Sequence, residues 1–346
     1  MPDVPYQSFP PEAFWRTGVA EADISAFEGM YAPKVRLRAD TRIMTAGSCF
    51  AQHISRALKA QGMALVETEK VEGPLSAAML SRFGYGQYSA RYGNIYTVRQ
   101  LRQLMEEARD RFEPNQIYWR RDDRVFDALR PGVEPNGWQS IRHAKIARAQ
   151  HISCVQHALD ETDVLVFTLG LTEAWEHIQS GTVFPTAPGV IAGEFRPRMH
   201  RFRNFNYDEV IADFLATRAL LHETRPKMRF ILTVSPVPLT ATASGNHVLV
   251  ATQRSKAVLR AAAGYLAETC DDVDYFPSYE MVMHPQAGPS AFEDNLRNPR
   301  SEIVARVIAA FLRAHDLEPT EDAPLSEFID DDEVACEESL LEAFAT

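Results

Sequence analysis

The sequence predicts an α/β fold: a three-layer α/β/α sandwich around a mostly parallel central sheet, with insertions capping the carboxyl end of the strands. Short, continuously apolar runs at 42–46, 163–170 (DVLVFTLG), 228–235 (MRFILTVS) and 273–276 (VDYF) suit strands buried on both faces. Helical periodicity fills 141–159, 208–222, 247–269 and 301–314. Strand and helix therefore alternate, and alternation is the signature of a parallel sheet covered by helices.

The first 40 residues are rich in proline and aromatics, including Pro10, Pro11, Phe14 and Trp15, and read as an arm packed over a domain spanning 41–315. The opening MPDVPYQSFPPEAFW has neither a basic nor an apolar leader region, and no run approaches the roughly 20 apolar residues of a membrane helix. A cytoplasmic chain without membrane insertion is expected. Residues 42–46 form a strand that runs into Gly47, Ser48 and Cys49, then a helix marked by Phe50, Ile54 and Leu58 and stopped at Gly62. Residues 63–66 offer a second strand. About 95 residues then precede Asp163, too many for one crossover. Within them 85–96 is rich in Gly and Tyr, 97–108 is helical and 117–129 suggests a hairpin, so 70–140 is read as an insertion roofing one end of the sheet. A second insertion, 178–206, is loop-like and holds the basic run 196–204 (RPRMHRFRN).

At 45% hydrophobic and 24% charged residues, the chain can bury a large core and is not disordered throughout. Cys49, Cys154, Cys270 and Cys336 lie far apart with no CxxC pair, which argues against a disulfide framework and a zinc knuckle. His143, His151 and His157 share a helix, but no carboxylate cluster accompanies them, so they are read as helix-face residues and no metal is expected. The net charge of -11 belongs to one segment: 316–346 holds twelve acidic residues and no Lys or Arg, and without it the body sits near +1. That tail reads as disordered and solubilising, although Leu340, Leu341 and Phe344 can dock a short helix, and a separate reading has the tail recruit a protein partner. No basic stripe interleaved with aromatics points to nucleic acid.

The sharpest chemical signal is Cys49 at a strand-to-helix turn. Helix N-termini lower a thiol pKa and offer backbone N–H groups to an oxyanion, although a cysteine there also serves as packing and Ser48 as an N-cap.

Residues 47–51 read GSCFA, and the chain resembles the GSCFA family, bacterial proteins similar to the SGNH/GDSL hydrolases, whose fold is SGNH/flavodoxin-like. The resemblance extends through 92–97 (YGNIYT), 167–175 (FTLGLTEAW), Pro188 and Gly189, Ala192 and Gly193, His200, Asn204 and Phe205, 233–236 (TVSP), Ser255 and Lys256, 275–279 (YFPSY) and 295–297 (NLR), covering about 5–312. On the SGNH pattern Gly47, Ser48 and Cys49 fall on Gly-Asp-Ser, which implies Cys49 as nucleophile. The Gly-x-Asn-Asp block corresponds to Gly170, Leu171, Thr172 and Glu173, with Thr172 in the oxyanion-hole position. The Asp-x-x-His block corresponds to Asp294, Asn295, Leu296 and Arg297, where Arg replaces the base and cannot act as one. Arg297 and Asn295 are then expected to bind substrate, as are Gly47, Gly170, Glu173 and His200. His247 and His284 are the leading imidazoles for the proton, with a site lacking any imidazole base as the alternative. Lys256 can meet an anionic group or lie on a solvated helix face, and Arg196, Arg198, Arg201 and Arg203 can clamp a phosphate or anionic glycan or pair with the tail.

The resemblance implies an esterase or acyltransferase acting on an acyl group of a carbohydrate or other acylated small molecule, with no required cofactor and an acyl-CoA as optional donor. The rival reading is a non-catalytic module on a degenerate scaffold that binds a glycan or cofactor.

Overall fold

The computed structural model describes residues 4–71, 73–317 and 337–345. The chain opens the domain with β1 (Ile43–Gly47) and α1 (Phe50–Ala60), followed by α2 (Ala77–Arg82), α3 (Val98–Ala108) and the hairpin β2 (Tyr118–Arg121) and β3 (Arg124–Asp127). Next come α4 (Ile141–Glu161), β4 (Val164–Leu169), β5 (Glu173–His177), β6 (Val183–Phe184), β7 (His200–Asn204) and α5 (Tyr207–Thr224). The last part holds β8 (Arg229–Val234), α6 (Val248–Thr269), β9 (Val273–Phe276), α7 (Ser278–Val282) and α8 (Ser301–Ala314).

The central sheet has the order β1-β4-β8-β9 with every pairing parallel. Its strands alternate between two cores, as the period of two requires. Leu165, Phe167 and Leu169 of β4 and Phe230, Leu232 and Val234 of β8 pack under α3, α4, α5 and α6. Val164, Val166 and Ile231 face the opposite side, under α1, α7 and α8. The expected three layers are present. Residues 63–66 make only a single parallel bridge, Leu65 to Ile43, rather than a full strand.

The arm packs through Phe27, Val35 and Leu37 in the second core, with Tyr31 Oη and the Lys34 N–H on Asp274 at 3.0 and 2.8 Å. Phe14 and Trp15 are exposed. Beyond β4 the chain does not enter a helix: β5 pairs antiparallel with β6 and β7 in a three-stranded sheet. Glu173 therefore opens a strand. Arg196 pairs with Glu194, and Arg201 and Arg203 pair with Glu176, so these three members of the basic run are engaged by nearby carboxylates. Among the described residues no helix is long and apolar enough to cross a membrane.

Of the acidic tail, residues 318–336 lie outside the described residues, and Glu337–Phe344 form a 3₁₀-helix. Cys336 falls in the part outside.

Candidate active site

The turn after β1 is set by Gly47, whose φ is +140°. A Cβ there would come within 2.5 Å of the Thr168 carbonyl oxygen, so glycine is what lets β1 close on β4 while the chain reverses. Gly170, at the carboxyl end of β4, answers it: its own Cβ would sit 2.9 Å from Ser48 Cβ. The two glycines press the strand ends together and place Cys49 at the head of α1. Cys49, not Ser48, is the N-cap residue, and its side chain makes no capping bond. Its thiol side is buried, and Ser48 Oγ is buried without a hydrogen-bond partner among the described residues.

A ring of donors from the first insertion closes over this turn. Tyr88 Oη lies 3.0 Å from the Ser48 carbonyl oxygen and 2.6 Å from Asn94 Oδ1. Burial, with Cys49 and Glu337 nearby, pushes its phenol well above the usual value, so it stays a donor. Gln52 Nε2 donates to the same Asn94 Oδ1 at 3.2 Å. With its carbonyl side filled, Asn94 turns its Nδ2 toward Tyr96 Oη at 3.2 Å and Glu337 Oε2 at 2.5 Å. Tyr96 Oη donates to that same carboxylate oxygen at 2.8 Å. Asn94 and Tyr96 belong to the YGNIYT block, which carries resemblance but no assigned role in the sequence.

The second addition is Lys256. It is not on a solvated helix face: it is 2% exposed, and its Nζ donates to the Gly170 carbonyl oxygen at 2.8 Å. Burial lowers its pKa to about 7, against the opposing influence of Glu338 and Cys49 and with that of Arg297. Sequence held a signal for this, because Thr252, Ser255, Lys256, Leu259 and Ala263 recur at helical spacing and all lie on the buried side of α6.

Arg297 is buried at the loop preceding α8, with Nη2 3.5 Å from Glu338 Oε2. Asn295 is exposed, and its Oδ1 accepts the backbone N–H groups of Arg297 and Asn298 at 2.9 and 3.0 Å. It shapes the turn that presents the guanidinium. Thr172 is fully buried, with its N–H donating to Ser255 Oγ at 3.0 Å and its hydroxyl 2.8 Å from Asn204 Oδ1. Glu173 receives the Thr242 hydroxyl at 2.8 Å, and burial raises its carboxyl pKa.

The three histidines have other partners. His247 is exposed and caps α6, its Nδ1 accepting the Leu249 N–H at 3.2 Å. His284 accepts the Gln286 N–H at 3.3 Å and faces Phe27 of the arm across 6.3 Å, on the α8 side of the sheet; burial lowers its pKa. His200 lies on β7, accepts the Arg196 N–H at 3.1 Å and packs beside His177 and Phe184; burial lowers its pKa as well. The structure thus brings Gly47, Ser48, Cys49, Gly170 and Arg297 to one end of the sheet together with Lys256, Asn94 and Tyr96.

The GSCFA family model matches residues 42–311. The chain belongs to the GSCFA family. This GSCFA protein is also similar to two solved structures: a carbohydrate esterase family 3 protein from Talaromyces cellulolyticus, at 13% identity and a TM-score of 0.33, covering 78% of this chain and 94% of that one; and a mutant acetyl esterase with acetate ion, at 12% identity and a TM-score of 0.35, covering 80% and 98%. A search of curated proteins gives no match.

Proposed function

We propose that this GSCFA protein is an esterase or acyltransferase in which Cys49 is the nucleophile and Lys256, rather than His247 or His284, carries the proton. One observation supports the reading above the others: Lys256, buried with its Nζ 2.8 Å from the Gly170 carbonyl oxygen and its pKa lowered by that burial to about 7, shares the carboxyl end of the sheet with a cysteine at the N-cap position of α1. Half of such a lysine is neutral at pH 7, which is what a general base needs. The thiol proton passes to the Lys256 amine as sulfur bonds to the acyl carbon. The carbonyl electrons move onto oxygen, where the dipole of α1 and the backbone N–H groups at its head offset the charge. Collapse breaks the bond to the leaving alkoxide, which takes the proton back from Lys256 and leaves a thioester on Cys49. Water or a sugar hydroxyl, deprotonated by Lys256, then resolves that thioester. The acyl group is that of a carbohydrate or other small molecule, and acyl-CoA is a competent donor on the transferase reading.

The proposal is tested by intact-mass spectrometry after incubation with a small activated acetyl ester and, separately, with acetyl-CoA. A +acetyl adduct on the wild type, absent from Cys49→Ala, is expected; adduct from CoA alone selects the transferase. No adduct and no donor consumption would contradict it. The rival non-catalytic reading draws on Arg297, a buried guanidinium with a carboxylate partner standing where the superfamily pattern has its base.

A further inference from the structure

The segment Glu337–Phe344 meets the site by its acidic end. Glu337 and Glu338 are 7% and 8% exposed, whereas Leu340 and Phe344 are 48% and 65% exposed. Carboxylates are buried only where donors receive them. Glu337 is received by Asn94 and Tyr96, and Glu338 by Arg297. The pocket is also shaped for Glu337. The three atoms nearest a Cβ on Gly132 all belong to that side chain, the closest being Oε1 at 2.8 Å, and Gly132 has no positive φ to account for its glycine. Among the described contacts, the donors to these two carboxylates belong to the body of the domain, and the carboxylates come from the C-terminal segment.

We propose that Asn94, Tyr96 and Arg297 form a carboxylate-binding site that the chain's own Glu337–Phe344 segment occupies, which makes that segment an intrasteric inhibitor of the Cys49 site. The class of ligand that displaces it is a carboxylate-bearing one. The inhibitory part rests on Cys49 being the reacting group, while the binding part does not.

The test follows alkylation of Cys49 by iodoacetamide, an uncharged probe, in the full chain by peptide mass mapping. The Glu337→Gln/Glu338→Gln variant should react about tenfold faster than wild type or more, since it loses charge-assisted bonds at a buried site. Gly132→Ala should also accelerate alkylation, by a smaller factor; it alters no charge, so it separates displacement of the segment from a change in the field at the thiol. A peptide spanning 337–345, added at millimolar concentration to the double variant, should slow alkylation again. Equal rates in wild type and both variants, or no protection by the peptide, would overturn the proposal. Alkylation that follows this pattern without any acyl adduct would end the proposed chemistry and leave the carboxylate site standing. An adduct with no difference in alkylation would do the opposite.

Discussion

Two clusters bury charge in this molecule. Against α4, Asp127 receives Arg130 at 2.9 Å and Arg148 at 2.9 Å, Arg148 also holds Glu107, and Glu69 receives Arg130 at 3.3 Å and His151 Nδ1 at 2.6 Å. All but Glu69 come from the first insertion or the helix beneath it, and Asp127, Arg130 and Arg148 each meet opposite charge on two sides. Burial would raise Asp127, but Arg148 and Arg130 hold its carboxyl down to about 2. At the Cys49 site the cations are likewise built into the body, but the acids come from the far end of the chain. Lys256 there drops to about 7 rather than staying charged. A network matched within the body holds an insertion in place; one whose described carboxylates come from a separate segment leaves groups that can change partner. His151, read as a helix-face residue, belongs to the first kind: it is 1% exposed and burial lowers its pKa to about 4.

The largest effect should come from breaking the matched network. Asp127→Ala leaves Arg130 and Arg148 short of their shared partner and should cost about 3–5 kcal/mol of stability, read as a fall in the urea midpoint, with thiol reactivity per folded molecule unchanged. Lys256→Met removes one buried cation whose fixed bond is to the Gly170 carbonyl; at pH 7 it should shift stability by about 1–2 kcal/mol yet abolish acylation of Cys49. A variant with the reverse pattern, unstable but active, would make Lys256 a structural residue.

The dependence of stability on pH distinguishes the two clusters. Lys256 titrates near 7 when folded and near 10.5 when unfolded, so between these values the unfolded chain binds the extra proton. Stability contributed at that position then rises with pH across about 7 to 10.5. The stability of wild type relative to Lys256→Met should climb through that window and flatten below it, as checked by urea titrations at several pH values. His151 should do so lower down: its folded value near 4 lies under its ordinary 6.5, so its contribution is present above 6.5 and falls away as pH drops toward 4.

The backbone of this fold was legible because its strands are apolar without interruption and its helices are long. The β5 to β7 sheet was not. Its strands read EAWEH, VF and HRFRN, too short and, in the first and last, too polar for any apolar period to separate strand from loop. The site was half legible. Gly47 and Cys49 announce a turn that only a glycine can make, whereas Lys256 is defined by burial, which depends on the packing of α6 against the sheet. Asn94 and Tyr96 depend on an insertion folding back by some 45 residues onto β1, a tertiary event with no local signature.

The pairing of Cys49 with Lys256 is tested most directly by the pH dependence of a single-turnover acylation of Cys49 with an activated acetyl ester, in wild type and in Lys256→Met. In wild type the rate should rise with pH through an apparent pKa near 7, and in the variant that step should vanish. The same step near 7 in both proteins, or acylation undiminished in Lys256→Met, would contradict the assignment of Lys256 as the base.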